Sequence, residues 1–354
     1  MKESFCGLIS KLPLGCIVEN DIVSDNGQLL ISSMTVIDED ILSKLSHYNT
    51  VIYTTIHCDN GEETEKEIET KDVTISFDDS FKNYAVESIQ TIYDNINKPD
   101  EIANNINKLS TELCTFIHNS DSLGINIAKL KVSDEYTYKH SVDVGTISAV
   151  IAAAMDMSEE AIHNIAVAGV LHDLGKEKIP LEIINKPARL TPEEFAIMKK
   201  HPVYGYQILR DAKEISEPIR QGVLNHHENF DGTGYPRGLK NTELHMIEKI
   251  IAVADVFDAL VTARPYKTAK TPAQAIEIMF TMSNKFDINI FKSFLSVINA
   301  YPNGTNIKLS NGKEATVIAQ NKSYPLRPII RLNDTNEEIN MSSDMEYLSV
   351  VIIN

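Results

Sequence analysis

Short apolar runs separated by turn residues fill the first part of the chain. Asp25-Asn26-Gly27 is a strong hairpin signal between two of these runs. Residues 59–72 are highly charged and predict a solvated linker, so a first domain with its linker is expected to cover residues 1–72. Within this small α/β domain the pattern predicts strands at residues 15–18, 21–23, 28–31 and 50–55, and a helix at residues 38–45.

Apolar positions recur with helical spacing between about residues 80 and 300. Residues 141–155 are rich in Ala, Val and Ile, which predicts a helix buried on most of its sides. Further helices are predicted at residues 215–227 and 242–262. A helical domain is therefore expected at residues 73–300.

Three positions have the composition of a helix start. Ser158 precedes two glutamates, Thr191 is followed by Pro192 and Glu194 as in a capping box, and Thr271 precedes a proline. The helix that begins after Thr191 is expected to end near His201, because a proline follows at position 202.

The pattern changes again after residue 301. An Asn311-Gly312 turn separates two short apolar runs and predicts a hairpin. Residues 301–354 are therefore expected to form a β extension, with strands at residues 307–309, 315–319, 328–332 and 347–353.

Charge and composition narrow the classes of function. The 354-residue chain carries a formal net charge of −17, which makes it a poor binder of duplex nucleic acid or of an anionic membrane. No apolar run approaches the roughly 18 residues that span a bilayer. Lys11 and Pro13 interrupt the N-terminal apolar run, so no secretory signal is expected and the predicted location is cytoplasmic. The four cysteines form no CxxC pair and are expected to be reduced structural thiols.

An ordered series of histidines and aspartates carries the candidate chemistry. Neutral imidazole and carboxylate groups are common ligands of Zn, Fe and Mn, and separate helices often supply one or two ligands each to a dinuclear site. The series lies in or at the ends of predicted helices and consists of His140, His172, Asp173, His201, His226, His227 and Asp255.

The apolar surroundings of these polar residues strengthen the metal hypothesis. His172 and Asp173 close the apolar run 165–171, and Asp255 lies inside the apolar run 250–257. Buried polar and charged groups are costly unless they are partnered. Both sites gain partners if they share metal ions.

Three neighbouring segments could face a substrate. Gly175 suits a helix C-terminus with positive φ, and Lys176 would then lie one turn from the metals, within reach of a phosphate oxygen. Residues 226–236, HHENFDGTGYP, predict a tight loop beside two candidate ligands. Arg264 and Lys267 flank a tyrosine after the Asp255 helix and suit a nucleotide phosphate and base.

These motifs together resemble a known family. HDLGK at 172–176 and HHENFDGTGYP at 226–236, with His140, His201 and Asp255 in this order, resemble the HD-GYP domain. HD-GYP domains are a bacterial subgroup of the HD phosphohydrolases and are known as cyclic di-GMP phosphodiesterases. The resemblance covers about residues 125–300 and implies a mainly α fold: an HD-type helical bundle between a small N-terminal α/β domain and the C-terminal β extension.

The resemblance also implies roles for individual residues. The seven residues of the ordered series would bind metal, with Asp173 bridging two ions. Lys176 would contact phosphate and, with Asp173, serve catalysis. The predicted substrate contacts are Lys176, Asp231, Gly234, Tyr235, Arg264 and Lys267.

One position departs from part of the family. Some members carry a glutamate four residues before the first histidine, associated with a third metal, whereas this chain has Tyr136. Glu135 is adjacent but would point about 100° away on a helix. Two divalent ions are therefore expected. Fe or Mn is favoured, and Zn or Ni stays open.

The expected reaction is hydrolysis of cyclic di-GMP to pGpG or GMP by a hydroxide held between two metals. Cyclic GMP-AMP is an alternative substrate, because the residues that would read the bases are not identifiable. A non-catalytic cyclic-dinucleotide receptor is a second alternative. Homodimerisation or a signalling protein partner stays open, and neither duplex nucleic acid nor a membrane is expected as a partner.

Overall fold

The structure is a computed structural model, and its backbone falls into two compact units, residues 1–69 and 70–354. The predicted three-part division at residues 72 and 300 stays a prediction. The described residues are 2–9, 12–18, 20–23, 29–45, 51–58, 74–75, 79–119, 124–125, 136–263 and 268–353.

The first unit is a small antiparallel sheet with one helix. Four strands pair in the order β1-β6-β2-β5, and β3 pairs with β4. The elements are β1 (Lys2–Leu8), β2 (Cys16–Val18), β3 (Ile22–Val23), β4 (Leu29–Ile31), β5 (Thr35–Val36), α1 (Glu39–Leu45) and β6 (Val51–Cys58). The predicted strands and helix are present, whereas β1 and β5 were not predicted. The predicted hairpin turn at residues 25–27 lies outside the described residues.

Cys16 is disulfide-bonded, so the expectation that all four cysteines are reduced is wrong for this residue. Antiparallel pairing of β2 with β6 places Cys16 opposite Cys58 on the backbone. Spacing along the chain could not reveal this register. Cys114, on a helix of the second unit, is a free thiol.

The second unit is mainly helical. Its first elements are β7 (Thr74–Ile75), α2 (Asp79–Asp94), α3 (Pro99–His118), β8 (Gly124–Ile125), α4 (Tyr136–Ala154), α5 (Glu159–Leu171) and α6 (Leu181–Ile184). They are followed by α7 (Pro192–Met198), α8 (His201–Leu209), α9 (Glu217–Asn225), α10 (Met246–Val261), α11 (Pro272–Thr281) and α12 (Ile288–Val297).

The apolar helix α4 lies at the centre of this unit. Residues 140–152 are buried without interruption, which confirms the prediction of a helix covered on most sides. Helices α5, α10 and α12 pack against it, and α9 packs against α5 and α8. The predicted ligands lie on or beside these central helices.

The predicted helix starts are confirmed by their caps. The Ser158 side chain accepts a hydrogen bond from the backbone N–H of Ala161. Thr191 and Thr271 each form a capping box with the residue three positions later. The side chain thus satisfies a backbone N–H that has no partner within the helix.

The prediction that the Thr191 helix continues to about His201 is wrong. Helix α7 ends at Met198, and α8 begins at His201 with Pro202 in its first turn. A proline in the first turn needs no N–H donor, so it starts a helix here instead of ending one. His201 is therefore the first residue of a helix, and it is buried.

A small sheet forms the C-terminal part of the second unit. Its antiparallel strands follow the order β12-β11-β10-β9 around a separate apolar cluster. They are β9 (Asn306–Lys308), β10 (Glu314–Ala319), β11 (Ile329–Leu332) and β12 (Glu338–Asn340). The predicted strand at residues 347–353 is wrong: only an isolated bridge joins Leu309 to Ile352, and the fourth strand is β12. The segment before Ile352 forms turns, and its apolar residues Tyr347 and Val350 pack against the sheet.

None of the helices in the described part of the chain combines the length and apolar character that a bilayer span requires. The cytoplasmic location stays a prediction.

Gly175 is needed for a close approach between backbones, and the expectation of a positive φ is wrong. It lies in a 3-10 helix at Leu174–Lys178 that packs against α8. A Cβ added at Gly175 would lie 1.9 Å from the carbonyl oxygen of His201 and 2.4 Å from the backbone nitrogen of Gly205. The absence of a side chain therefore lets the segment after Asp173 meet the start of α8.

Gly175→Ala is expected to destabilise the protein by about 3 kcal/mol, because backbone atoms must move to admit the methyl group. Urea unfolding followed by circular dichroism measures the change. Gly312→Ala is the matched control: Gly312 has a φ of 86° and open space around it, so only the left-handed backbone costs about 1 kcal/mol. Equal losses in the two variants would contradict the close-approach explanation.

Candidate metal centre

Separate segments bring the predicted ligands together in the helical core. Every ligand except His227 is buried. His140 lies on α4, His172 and Asp173 follow α5, His201 begins α8, His226 and His227 follow α9, and Asp255 lies on α10. Residues up to 115 positions apart in the sequence therefore form one cluster.

Asp173 lies in the middle of the cluster, and its two oxygens face different histidines. Its Oδ2 is 3.3 Å from Nε2 of His172 and 3.6 Å from Nε2 of His140. Its Oδ1 is 3.3 Å from Nε2 of His201. A carboxylate in this position can bind two ions at once, one through each oxygen.

Asp255 also divides its oxygens between two sides. Its Oδ1 is 3.2 Å from Nε2 of His140, and its Oδ2 is 3.6 Å from Nδ1 of His227. Among the described residues, the donor atoms form three groups whose members lie within 4.8 Å of one another. Two of these groups have no residue in common: one is His140, His172 and Asp255, and the other is His201, His226 and His227. The third group is His172, Asp173 and His226, and it shares one histidine with each of the other two.

Backbone carbonyls fix the tautomer of three of the rings in their neutral form. Because a carbonyl oxygen can only accept, each Nδ1 must carry the proton and donate it, and Nε2 of the neutral ring keeps a lone pair. The bonds run from His172 to Gly169 O at 2.7 Å, from His201 to Met198 O at 2.8 Å, and from His226 to Val223 O at 2.8 Å. This is the arrangement of a histidine prepared to bind metal through Nε2.

His140 is oriented by a carboxylate from another helix. Its Nδ1 donates to Oδ2 of Asp258 at 2.6 Å, while the hydroxyl of Thr262 donates to Oδ1 of Asp258 at 3.0 Å. Asp258 is 1% exposed. The bond points Nε2 of His140 towards Asp173 and Asp255.

The orphaned atoms of the cluster fit a cation. Nε2 of His201 lies 3.2 Å from Nε2 of His226, although both nitrogens carry lone pairs in the neutral tautomer that donates from Nδ1 to the carbonyls. Nε2 of His172 and Oδ1 of Asp173 are buried without a hydrogen-bond partner. Such an arrangement of acceptors is costly unless positive charge lies between them. Imidazole and carboxylate groups in this number suit divalent transition metals.

Three of the candidate ligands are kept in the forms that bind metal. Burial lowers the pKa of His227 to about 3, and burial with the neighbouring histidines lowers the pKa of His226 well below its usual value. Burial alone would raise the pKa of Asp173, but His172 and Lys176 outweigh it and hold the pKa well below its usual range. At neutral pH the two imidazoles are therefore neutral and Asp173 is ionised.

His140 differs from the other histidines. Burial lowers its pKa, but the hydrogen bonds to Asp255 and Asp258 outweigh burial and raise the pKa to about 10. Metal binding at Nε2 must consequently displace a proton from this ring at neutral pH.

Solvent reaches the cluster from one side. The side chains of His227 and Lys176 are 26% and 27% exposed, whereas the other ligands are covered. Nζ of Lys176 lies 2.5 Å from Oδ2 of Asp173. The ring of Tyr235 covers His227, with centroids 4.7 Å apart and planes inclined by 35°.

Glu228 holds the loop that carries Tyr235. Its buried carboxylate accepts three backbone N–H groups of residues 237–239, at 2.6 Å, 3.0 Å and 3.0 Å. The backbone N–H of Tyr235 donates to the carbonyl of His227 at 3.1 Å. A loop fixed at both points cannot move Tyr235 away from His227 without breaking buried hydrogen bonds.

Asp231 and Gly234 shape the same loop. Oδ1 of Asp231 accepts from the backbone N–H and the hydroxyl of Thr233, and Oδ2 accepts from Asn284 at 2.8 Å. A Cβ at Gly234 would lie 2.4 Å from the backbone of Glu228, so only glycine fits. These contacts give both residues a role in loop structure, and their contact with a substrate stays a prediction.

Comparison with known proteins finds a family model that matches the region of this cluster. A family model described as the HD domain matches residues 123–290, the region that holds all seven predicted ligands. A curated relative from Pseudomonas aeruginosa, cyclic di-GMP phosphodiesterase PA4108, is 36% identical over 59% of this chain and 50% of its own length. Residues 123–290 are therefore similar to the HD domain family, and the motifs of this region resemble those of the HD-GYP subgroup.

Two further relatives are similar to part of this chain. A cyclic di-GMP phosphodiesterase from Thermotoga maritima is 43% identical over 46% of this chain and 45% of its own length. A protein from Vibrio cholerae named 3'3'-cGAMP-specific phosphodiesterase 1 is 33% identical over 41% of this chain and 33% of its own length. The chain thus spans half or less of the length of these relatives.

One solved structure supports the fold. The HDG"Y"P protein Bd1817 from Bdellovibrio bacteriovorus superposes with a TM-score of 0.51, over 83% of this chain and 98% of that chain, at 18% identity. The mainly α fold predicted from the sequence is confirmed. HD domains are metal-dependent, and the His/Asp groups of this chain could hold metal.

Several predicted positions cannot be placed. Arg264 and Lys267 lie outside the described residues, as does Glu135, and the side chain of Tyr136 is not described either. The predicted phosphate contacts of the two basic residues stay predictions, and so does the number of ions.

Sequence reasoning missed Asp258 and Glu228. Asp258 lies three residues after Asp255 in the same apolar helix, so the helical period could have placed both acids on one face. Glu228 follows the two histidines directly, but nothing local shows that its carboxylate turns away from the metal cluster towards residues 237–239. That direction depends on how the loop closes.

Asp258→Asn is expected to weaken metal binding by about 10- to 100-fold, because His140 loses the charged acceptor that orients it. Titration of metal-free protein with Mn²⁺, followed by calorimetry, measures the affinity. Asp287→Asn is the control, since Asp287 caps the start of α12 and does not touch His140. An unchanged affinity in Asp258→Asn would show that Asp258 does not support the site.

Proposed function

We propose that this protein is a metal-dependent phosphodiesterase that hydrolyses a cyclic dinucleotide, with cyclic di-GMP as the first candidate. The observation that carries the proposal is the two groups of candidate ligands on either side of Asp173. In one group Nε2 of His172 is buried without a hydrogen-bond partner, and in the other the Nε2 atoms of His201 and His226 face each other. The names of the relatives from Pseudomonas aeruginosa and Thermotoga maritima support this substrate.

The proposal assigns two divalent ions to the cluster. One would be held by His140, His172 and Asp255, the other by His201, His226 and His227, with Asp173 shared through its two oxygens. Bound ions would supply Lewis acidity towards water and towards the oxygens of a phosphodiester. The mixture of nitrogen and oxygen ligands without cysteine favours Fe or Mn, with Zn or Ni as the alternatives.

The residues at the open side are proposed to hold the phosphate. Lys176 places its ammonium group next to Asp173, where it can donate to a phosphoryl oxygen whose negative charge grows during cleavage. Burial raises the pKa of Tyr235, so its hydroxyl stays protonated and remains a donor at neutral pH. Arg264 and Lys267 are proposed as further phosphate contacts. These three basic residues would supply positive charge at the site, although the chain as a whole has a net charge of −17.

Cleavage of one phosphodiester bond would give the linear dinucleotide pGpG, and a second cleavage would give GMP. Cyclic GMP-AMP is the competing substrate, because the Vibrio cholerae relative is named for that specificity. The binding of water at the proposed ions does not depend on the bases, so the site accommodates either reaction.

The wild-type protein, purified without oxygen and loaded with Fe²⁺ or Mn²⁺, is expected to convert cyclic di-GMP into pGpG or GMP. Chromatography of the products, with cyclic GMP-AMP in parallel, measures the activity and the base preference. Asp173→Ala removes the carboxylate shared by both groups, so it is expected to abolish cleavage and to lower the bound metal.

Two results would contradict this function. Binding of a cyclic dinucleotide without cleavage, with each metal restored, would favour a receptor that signals to a protein partner. Cleavage that persists at the wild-type rate in Asp173→Ala would place the chemistry outside the cluster.

Lys176→Gln is expected to lower kcat by about 100-fold while leaving the metal content unchanged, because it removes the positive charge that would stabilise the negative charge developing on the phosphoryl oxygen. Lys178→Gln is the matched control: Lys178 lies in the same 3-10 helix but is exposed. Steady-state kinetics together with elemental analysis of the purified variants decides the question. Equal kcat values in the two variants would rule out a catalytic role for Lys176.

A further inference from the structure

A phenylalanine stands exposed beside the opening of the metal centre. Phe195 lies on α7 and is 45% exposed. Its ring meets Tyr235 edge-on, with centroids 6.2 Å apart and planes inclined by 80°. Since Tyr235 covers His227, a row of three rings leads from solvent to the candidate ligands.

The short helix that carries Phe195 is held at both ends. At its start, Glu194 completes the capping box with Thr191 and accepts hydrogen bonds from Lys186 at 2.5 Å and 2.7 Å. At its end, the carbonyl of Met198 accepts the Nδ1 proton of His201. Phe195 is therefore positioned by the same helix that orients a candidate metal ligand.

A cation accompanies the exposed ring. Nζ of Lys199 lies 5.3 Å from the centroid of Phe195, within the range of a cation–π contact. The exposed ring of Phe195 thus combines a flat apolar surface with a neighbouring positive charge. Aromatic rings next to cations are the surfaces on which proteins stack the bases of single-stranded nucleotides.

Exposed hydrophobic side chains are common and need no explanation when they occur singly. Phe280 on α11 is such a case: it is 47% exposed, and its ring packs against Phe291. Phe195 differs because its ring contacts Tyr235, which lies in the loop at residues 226–236 beside the candidate ligands. The difference makes Phe280 a suitable control.

We propose that Phe195 is a substrate-binding residue whose ring stacks a nucleobase of the substrate, with Tyr235 between this ring and the metal centre. Lys199 would face the electron-rich edge or phosphate of the same nucleotide. The inference rests on the proposed function, because it deepens the substrate contact of that site. It explains how a strongly acidic chain holds a nucleotide with few cations: apolar stacking supplies part of the affinity.

Kinetics give the first test. Phe195→Ala is expected to raise KM for the cyclic dinucleotide by roughly tenfold or more, as loss of one stacked base predicts, with a much smaller change in kcat. Phe195→Tyr keeps a stacking ring and is expected to restore the wild-type KM. Phe280→Ala should leave KM unchanged. Equal KM values in wild type and Phe195→Ala would overturn the proposal.

Fluorescence gives a second test that does not need cleavage. The chain contains no tryptophan, so Phe195→Trp introduces a single indole at the proposed stacking surface. Cyclic di-GMP or cyclic GMP-AMP is expected to quench this indole, whereas ribose 5-phosphate, which has no base, is not. Phe280→Trp provides the control indole and should respond to none of them.

The two readouts separate the two hypotheses. Quenching without hydrolysis would overturn the proposed catalytic function but support a base-binding role for Phe195. Hydrolysis without quenching, together with an unchanged KM in Phe195→Ala, would overturn the stacking role and leave the catalytic function standing. Quenching by ribose 5-phosphate as well would also overturn it, because the response would then not depend on a base.

Discussion

The repulsion between unshared lone pairs at the centre of the helical core is the constraint on which the site depends. Nε2 of His201 and Nε2 of His226 face each other at 3.2 Å, and Asp173 adds a buried carboxylate beside them. In the neutral rings the proton points away from this centre, because Nδ1 donates it to the carbonyl of Met198 in His201 and of Val223 in His226. A cation relieves all of these repulsions at once. Burial of these polar groups is therefore unfavourable for folding, and the binding of a metal ion would offset this cost.

The supports of the ligands come from the ends and faces of the same helices that make the core. Three histidines use carbonyls of the preceding turn, which the end of a helix leaves without a partner. His140 is the fifth residue of α4, where the carbonyls of the preceding turn are engaged within the helix, and it uses Asp258 from α10 instead. The position of a histidine along its helix therefore decides which kind of partner orients it.

In the loop at residues 226–236, some residues hold the loop in place and one contacts a candidate ligand. Glu228 and Asp231 hold the loop through hydrogen bonds and Gly234 through close backbone packing, while the ring of Tyr235 contacts His227. Phe195 extends that ring contact towards solvent. A motif of eleven residues thus contains few side chains available to a ligand. Its remaining residues keep the tyrosine at one distance from the metal cluster.

The sequence by itself determined the types of ligand, their order and the starts of several helices. Apolar runs around His172 and Asp255 indicated burial, and the threonines at 191 and 271 indicated caps, because these signals lie within one or two helical turns. Only the tertiary structure decided that α8 begins at His201, that Gly175 meets its backbone, and that Asp258 holds His140. Each of these depends on contact between segments far apart in the chain. The meeting of Phe195 with Tyr235, 40 residues later, has the same origin: helix packing sets it, and no local pattern encodes it.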